Sequence, residues 1–174
     1  MKKLQEEVKE LAQGKVYITE DDLGKLPYLN AVFKESLLLH PPLPLIPREL
    51  TQDFNLMGTW AIGRDPNLWK EPEEFRPERF LYSPIDYNGS YFELIPFGSG
   101  RRGCPAVQYS KAINELTLAN LVYKFYLALP NGERAENLDM SEGSGAFIHR
   151  LNVQSTSCGY FTFKIVPRVT LFNY

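Results

Sequence analysis

The chain has 174 residues, 44% of them apolar, and a formal net charge of −2. That length fits one domain or a large piece of a bigger one, and the near-neutral balance gives no reason to expect nucleic acid as a partner. No run reads as a membrane span or a signal peptide, and two distant cysteines, Cys104 and Cys158, argue against a disulfide framework.

Residues 1–13 predict an amphipathic helix with Leu4, Val8, Leu11 and Ala12 on one face, ended by Gly14. Thr19 followed by Asp22 resembles a capping box and starts a short second helix, broken near Pro27. From Tyr28 to His40 the period is helical again, with Leu29, Val32, Phe33, Ser36, Leu37 and His40 in one stripe, and Pro41-Pro42 stops it. Residues 41–47 hold four prolines and predict an extended loop; 49–62 show weak strand character. Residues 81–95 predict an aromatic-rich loop with a turn at Asn88-Gly89. From Pro105 to about Leu129 the pattern is helical, and its second half is apolar nearly all round, which predicts burial in a core against the helix at 28–40. A polar loop follows Pro130-Asn131-Gly132, and alternation from Tyr160 to Leu171 predicts a strand.

The run Pro96-Phe97-Gly98-Ser99-Gly100-Arg101-Arg102-Gly103-Cys104-Pro105 places a thiol at the end of a glycine-rich, doubly basic loop. Three glycines within six residues allow a tight backbone and close approach to a ligand. Pro105 suits the first position of a helix, so Cys104 is expected at a helix N-terminus beside two arginines, where both influences favour the metal-binding thiolate. One alternative is a tight turn around a buried free cysteine. Another is a zinc site from Cys104, Cys158, His40 and His149, which lacks any C-x-x-C or H-x-x-x-H spacing.

This loop resembles the haem-ligand signature of the cytochrome P-450 family, F-x-x-G-x-R-x-C-x-G or A, whose positions are filled here by Phe97, Gly100, Arg102, Cys104 and Ala106. The resemblance implies Cys104 as the metal ligand, Arg102 on a haem propionate and Phe97 on the proximal side. Pro72-Glu73-Glu74-Phe75-Arg76-Pro77-Glu78-Arg79-Phe80 resembles the family's P-E-R-F segment. Lys34-Glu35-Ser36-Leu37-Leu38-Leu39-His40-Pro41-Pro42 resembles its K-E-x-L-R-L-H-P-P helix, with Leu38 in place of the arginine. That departure leaves Glu35 to pair with Arg79 alone, a serious expected loss for folding or haem retention, since removing one member of a buried ionic network costs about 3–5 kcal/mol. Arg48 matches a position near a haem propionate, and His40 ends the matched helix, where it caps or binds propionate.

The resemblance covers residues 1–150 and is similar to the plant microsomal branch, in phrases such as Ala61-Ile62-Gly63-Arg64-Asp65-Pro66 and Leu138-Asp139-Met140. It implies a mainly α fold with minor β, an incomplete cytochrome P-450 fold, followed by a divergent tail at 151–174. The chain starts far inside the family's sequence, without the family's membrane anchor, basic helix or long central helix. Met57-Gly58-Thr59-Trp60 joins flanks between which the family carries a strand-turn-strand. The expectation is a truncated or aberrantly spliced gene product. By resemblance the function is that of a haem-thiolate monooxygenase. Such an enzyme uses heme b (iron protoporphyrin IX), an NADPH-dependent flavoprotein reductase and a small organic substrate, at the endoplasmic reticulum membrane. The missing anchor leaves a cytoplasmic location open, and efficient turnover is not expected of this chain alone. The alternative is a non-catalytic haem-binding or partner-binding remnant.

Overall fold

Leu4 and Val8 lie one helical turn apart, and both are buried where α1 (Lys2–Leu11) meets the rest of the chain. In this computed structural model the described residues are 1–45, 58–126, 141–143, 149–150 and 166–167. The helix gives way to Ala12, and Gly14 takes the left-handed φ of 79° that lets the chain turn back. Helix α2 (Glu20–Leu23) starts at the expected box. The Asp22 carboxylate accepts from the Thr19 N–H at 3.2 Å and from its hydroxyl at 3.0 Å. Lys15 lies 2.5 Å from Asp22, and these donors, Lys15 first, hold the carboxyl well below the usual range.

Helix α3 (Pro27–Leu39) begins at Pro27 itself, so the proline opens this helix rather than only ending the previous one. The exposed ends of its backbone are satisfied from another element. Both oxygens of Glu7 in α1 accept from the N–H groups of Tyr28 (2.8 Å) and Leu29 (2.9 Å). The one-face stripe expected here does not describe α3. Leu29, Ala31, Lys34, Glu35, Leu37, Leu38 and Leu39 are all buried, because other segments cover the helix on several sides. Residues 46–57 lie outside the described residues, so most of the 49–62 expectation does too. Its last part is not strand but helix α4 (Thr59–Gly63). Helix α4 is tied to the proline-rich loop by Thr59 Oγ1, which donates to the Leu43 carbonyl at 2.5 Å. It approaches α3 so closely that a Cβ on Gly63 would stand 2.3 Å from the Leu38 carbonyl oxygen.

A meander without long elements follows, and Pro77–Phe80 forms a single 3-10 turn packed on α3. Helix α5 spans Val107–Lys124, shorter at both ends than expected. Pro105 lies before the capping residue Ala106 and not at the first helical position. At the far end Phe125–Tyr126 form β1, paired antiparallel with β4 (Val166–Pro167). Aromatic and β-branched residues favour that pairing over another helical turn. A second pair joins β2 (Glu142–Gly143) to β3 (His149–Arg150). The tail strand expected over 160–171 is described only at Val166–Pro167, and the polar loop after Pro130 falls outside the described residues until Ser141.

Two apolar clusters result. One joins Leu4, Val8, Ala12, Ile18, Leu26 and Leu29 to Ala119 and Val122 of α5. Asn120 locks it, accepting from the Ile18 N–H and donating to the Ile18 carbonyl, each at 3.0 Å. The other joins Ala31, Leu37 and Leu38 to Trp69, Phe80, Tyr87 and Leu94. Helix α5 therefore does pack near α3, but all-round burial is not found. Only Glu115, Ala119 and Val122 are buried, while Tyr109, Ile113 and Leu121 are exposed, because no other described residues cover that face.

Gly63→Ala should lower stability by about 1–3 kcal/mol through overpacking against Leu38. Urea unfolding followed by circular dichroism measures this, and an unchanged midpoint would mean that α4 and α3 separate at little cost.

Candidate functional site

The site is built outward from Glu35, whose side chain is fully buried in α3. One oxygen accepts from the Arg76 N–H at 2.7 Å. The other lies 3.0 Å from Arg79 Nε, out of line for a hydrogen bond, so this contact is an attraction of charges only. The rest of the Arg79 fork holds the meander. Nη1 donates to the Lys70 carbonyl at 2.6 Å, and Nη2 to those of Glu71 and Glu74 at 3.0 Å each. The expected pair of Glu35 and Arg79 is thus formed, with a backbone donor added. Leu38 is buried in the cluster with Trp69, Phe80 and Tyr87, where the family signature has an arginine. Burial pushes the Glu35 carboxyl up, against the opposing pull of the Arg76 N–H and of Arg79.

Above the meander, Lys34 donates to the Ile85 carbonyl at 2.8 Å and lies 3.5 Å from Asp86. The next residue, Tyr87, is buried, and its hydroxyl has no hydrogen-bond partner among the described residues. The turn at Asn88-Gly89 is formed as expected, with Gly89 at φ 88°. It leads to the cysteine loop, where Gly98 and Gly100 take φ of 73° and 66°, conformations open to glycine. Gly100–Arg102 is a 3-10 turn, closed by the Gly103 N–H on the Gly100 carbonyl at 3.0 Å. The Cys104 N–H donates to the Phe97 carbonyl at 2.9 Å, which closes the loop on itself.

Cys104 is a free, exposed cysteine, which removes the alternative of a buried thiol in a tight turn. It is separated from the first residue of α5 by Pro105 and Ala106, so it stands ahead of the helix and not at its end. Arg101 and Arg102 are exposed and carry no ion pair among the described residues. Phe97 is half-buried, its ring 5.8 Å from that of Tyr87. The structure therefore gathers Phe97, Arg102 and Cys104 on one loop. His40 caps α3 through its N–H, donated to the Ser36 carbonyl at 2.9 Å. Arg48 and Cys158 lie outside the described residues.

A cleft of about 450 Å³ opens between α2, the start of α3 and α5, and it shares none of these residues. Its walls include Leu23, Pro27, Asn30, Lys111 and Glu115. Buried Glu115 accepts from Asn30 Nδ2 at 2.8 Å, and burial pushes its carboxyl up. Sequence reasoning missed both Glu115 and Tyr87: a carboxylate inside a helix and one tyrosine among many give no signal of burial. The cleft is lined by no thiol and no arginine.

A family model described as cytochrome P-450 matches residues 1–154. The chain is 54% identical over 165 residues to cytochrome P-450 Tp4149 of Tanacetum parthenium, covering 87% of this chain and 33% of that protein. It is 54% identical over 163 residues to (+)-menthofuran synthase of Mentha piperita, covering 86% and 33%. Among solved structures, it is similar to a zebra fish cytochrome P-450 with abiraterone, at TM-score 0.71 and 28% identity, covering 86% of this chain and 36% of that one. The chain spans about a third of the length of the curated relatives it matches.

Glu35→Gln should cost about 3–5 kcal/mol, because it leaves Arg79 held in the meander without its anion. Urea unfolding at neutral pH checks this; a loss below the error of the fit would mean that the meander is held by its carbonyls alone. For Glu115 the folded carboxyl titrates above its ordinary value of 4.5, so its contribution to stability is full below that pH. The contribution is lost as pH rises through the folded value. Glu115→Gln keeps an acceptor for Asn30 and should remove that fall, so the variant gains on the wild type as pH rises above about 4.5. Parallel unfolding curves at all pH values would contradict it.

Proposed function

The chain belongs to the cytochrome P-450 family, and from that we propose that its cysteine loop is the haem-holding element of a haem-thiolate monooxygenase. The residues fit the group by their chemistry. A thiol in no disulfide is presented at the surface, and an arginine with no ion pair among the described residues stands two positions before it. Cys104 would ligate the iron as thiolate, Arg102 would hold a propionate by a guanidinium fork, and Phe97 would shield the sulfur from water. His40 and Arg48 are proposed for propionate as well, by family position. When bound, heme b supplies the redox chemistry by which one atom of O2 enters an organic substrate. The chain's own part is to bind, orient and shield. The donor of electrons is proposed to be an NADPH-dependent flavoprotein reductase, and the location the endoplasmic reticulum membrane. Among the described residues no helix is long and apolar enough to cross a membrane. Residues 1–150 are proposed as the family portion and 151–174 as a divergent tail.

The observation that carries this reading is the closed loop itself: Cys104 is bonded back to Phe97 while its side chain stays accessible. A second reading, a non-catalytic haem-binding or partner-binding chain, draws on the exposed Tyr109, Ile113 and Leu121 of α5.

Haem added to the purified chain should give a thiolate-type Soret band in the reduced, carbon-monoxide-bound difference spectrum, absent in Cys104→Ala. Equal spectra for the two would end the haem-thiolate reading. Turnover of substrate with NADPH and reductase separates the monooxygenase from the second reading.

A further inference from the structure

We propose that Tyr87 is a positioning residue for the cysteine loop, acting through its ring and not its hydroxyl; its functional meaning rests on the haem reading above. The loop has one internal tie between its ends, the Cys104 N–H on the Phe97 carbonyl. Whatever fixes Phe97 therefore fixes the backbone that carries the sulfur. The Phe97 ring packs on Tyr87 at 5.8 Å with planes at 55°. Tyr87 in turn meets the Phe33 ring of α3 edge-on, at 5.7 Å and 88°. Aromatic pairs in these orientations attract beyond the area they bury. The three rings thus form a continuous strut from α3 to the loop. Tyr87 is 2% exposed and shares its cluster with Leu37, Leu38 and Leu94, so it has no room to swing away.

The backbone after Tyr87 supports the loop from a second side. A Cβ on Gly89 would lie 3.3 Å from the Gly98 carbonyl oxygen and 3.3 Å from Ser99 Cα, and the φ of 88° is already one that favours glycine. The turn and the loop are therefore in direct backbone contact. The buried hydroxyl contributes nothing to this arrangement, since it has no partner among the described residues. A phenylalanine ring would serve as well.

Hydrogen exchange of the full chain, read by mass spectrometry on the segment 97–106, tests the strut without haem. In Tyr87→Leu, exchange in that segment should speed up about tenfold while α3 amides stay protected, and in Tyr87→Phe it should stay within about twofold of wild type. Trp69→Leu, a cavity in the same cluster away from the loop, should leave the segment unchanged. Gly89→Ala should loosen the loop with the core intact, which covers the case in which Tyr87→Leu unfolds. The proposal is overturned if Trp69→Leu loosens the loop as much as Tyr87→Leu, or if Gly89→Ala leaves exchange at the wild-type rate. With haem, the thiolate-type absorbance should fall in Tyr87→Leu and survive in Tyr87→Phe. If the wild type shows no Cys104-dependent spectrum, the haem reading fails, and the exchange rates still decide whether Tyr87 holds the loop.

Discussion

A carboxylate with no exposure to solvent has to be matched or neutralised, and Glu35 is matched by a backbone N–H and a guanidinium that both come from the meander. This requirement joins two parts of the chain that share no strand or long helix. Arg79 then spends its remaining donors on the carbonyls of Lys70, Glu71 and Glu74, which have no partners in regular secondary structure. Removing the anion would strand the cation, and the segment that wraps around the cation would lose its centre.

The loop itself is made by local means. Positive φ at Gly98 and Gly100, a short 3-10 turn and one bond between Cys104 and Phe97 give its shape. Its placement is made by distant means, through Tyr87 and the turn that follows. A loop so arranged keeps its sulfur exposed while its aromatic root, Phe97, packs against the apolar cluster.

Much of this was legible from residue order, and the reason differs by part. The capping box at Thr19 and the turn at Asn88-Gly89 depend on residue types at fixed spacing, and both came out at the expected place. The pair of Glu35 and Arg79, expected from the family resemblance, formed as well, whereas the cysteine loop ends two residues ahead of α5 rather than at its start. Burial was legible where one face of a helix packs inward, as in α1, whose Leu4 and Val8 are buried. Helix α3 is covered on several sides and α5 on few, and neither fact follows from its own apolar pattern. The end of α5 at Lys124 depends on a strand partner about forty residues further on, which no local window contains. Leu38 shows the same limit. Read against the family signature it is a missing cation, whereas in its cluster it is a packed core residue.

The bond between Asn120 and Ile18 spans 102 positions of the chain. Closing so wide a loop is slow compared with forming the local turns of the meander. During synthesis, α1 leaves the ribosome long before its apolar partners in α5 exist. Ile18, Leu26 and Leu29 can begin to cover Leu4 and Val8 early, but the cluster closes only when Ala119 and Val122 of α5 have emerged.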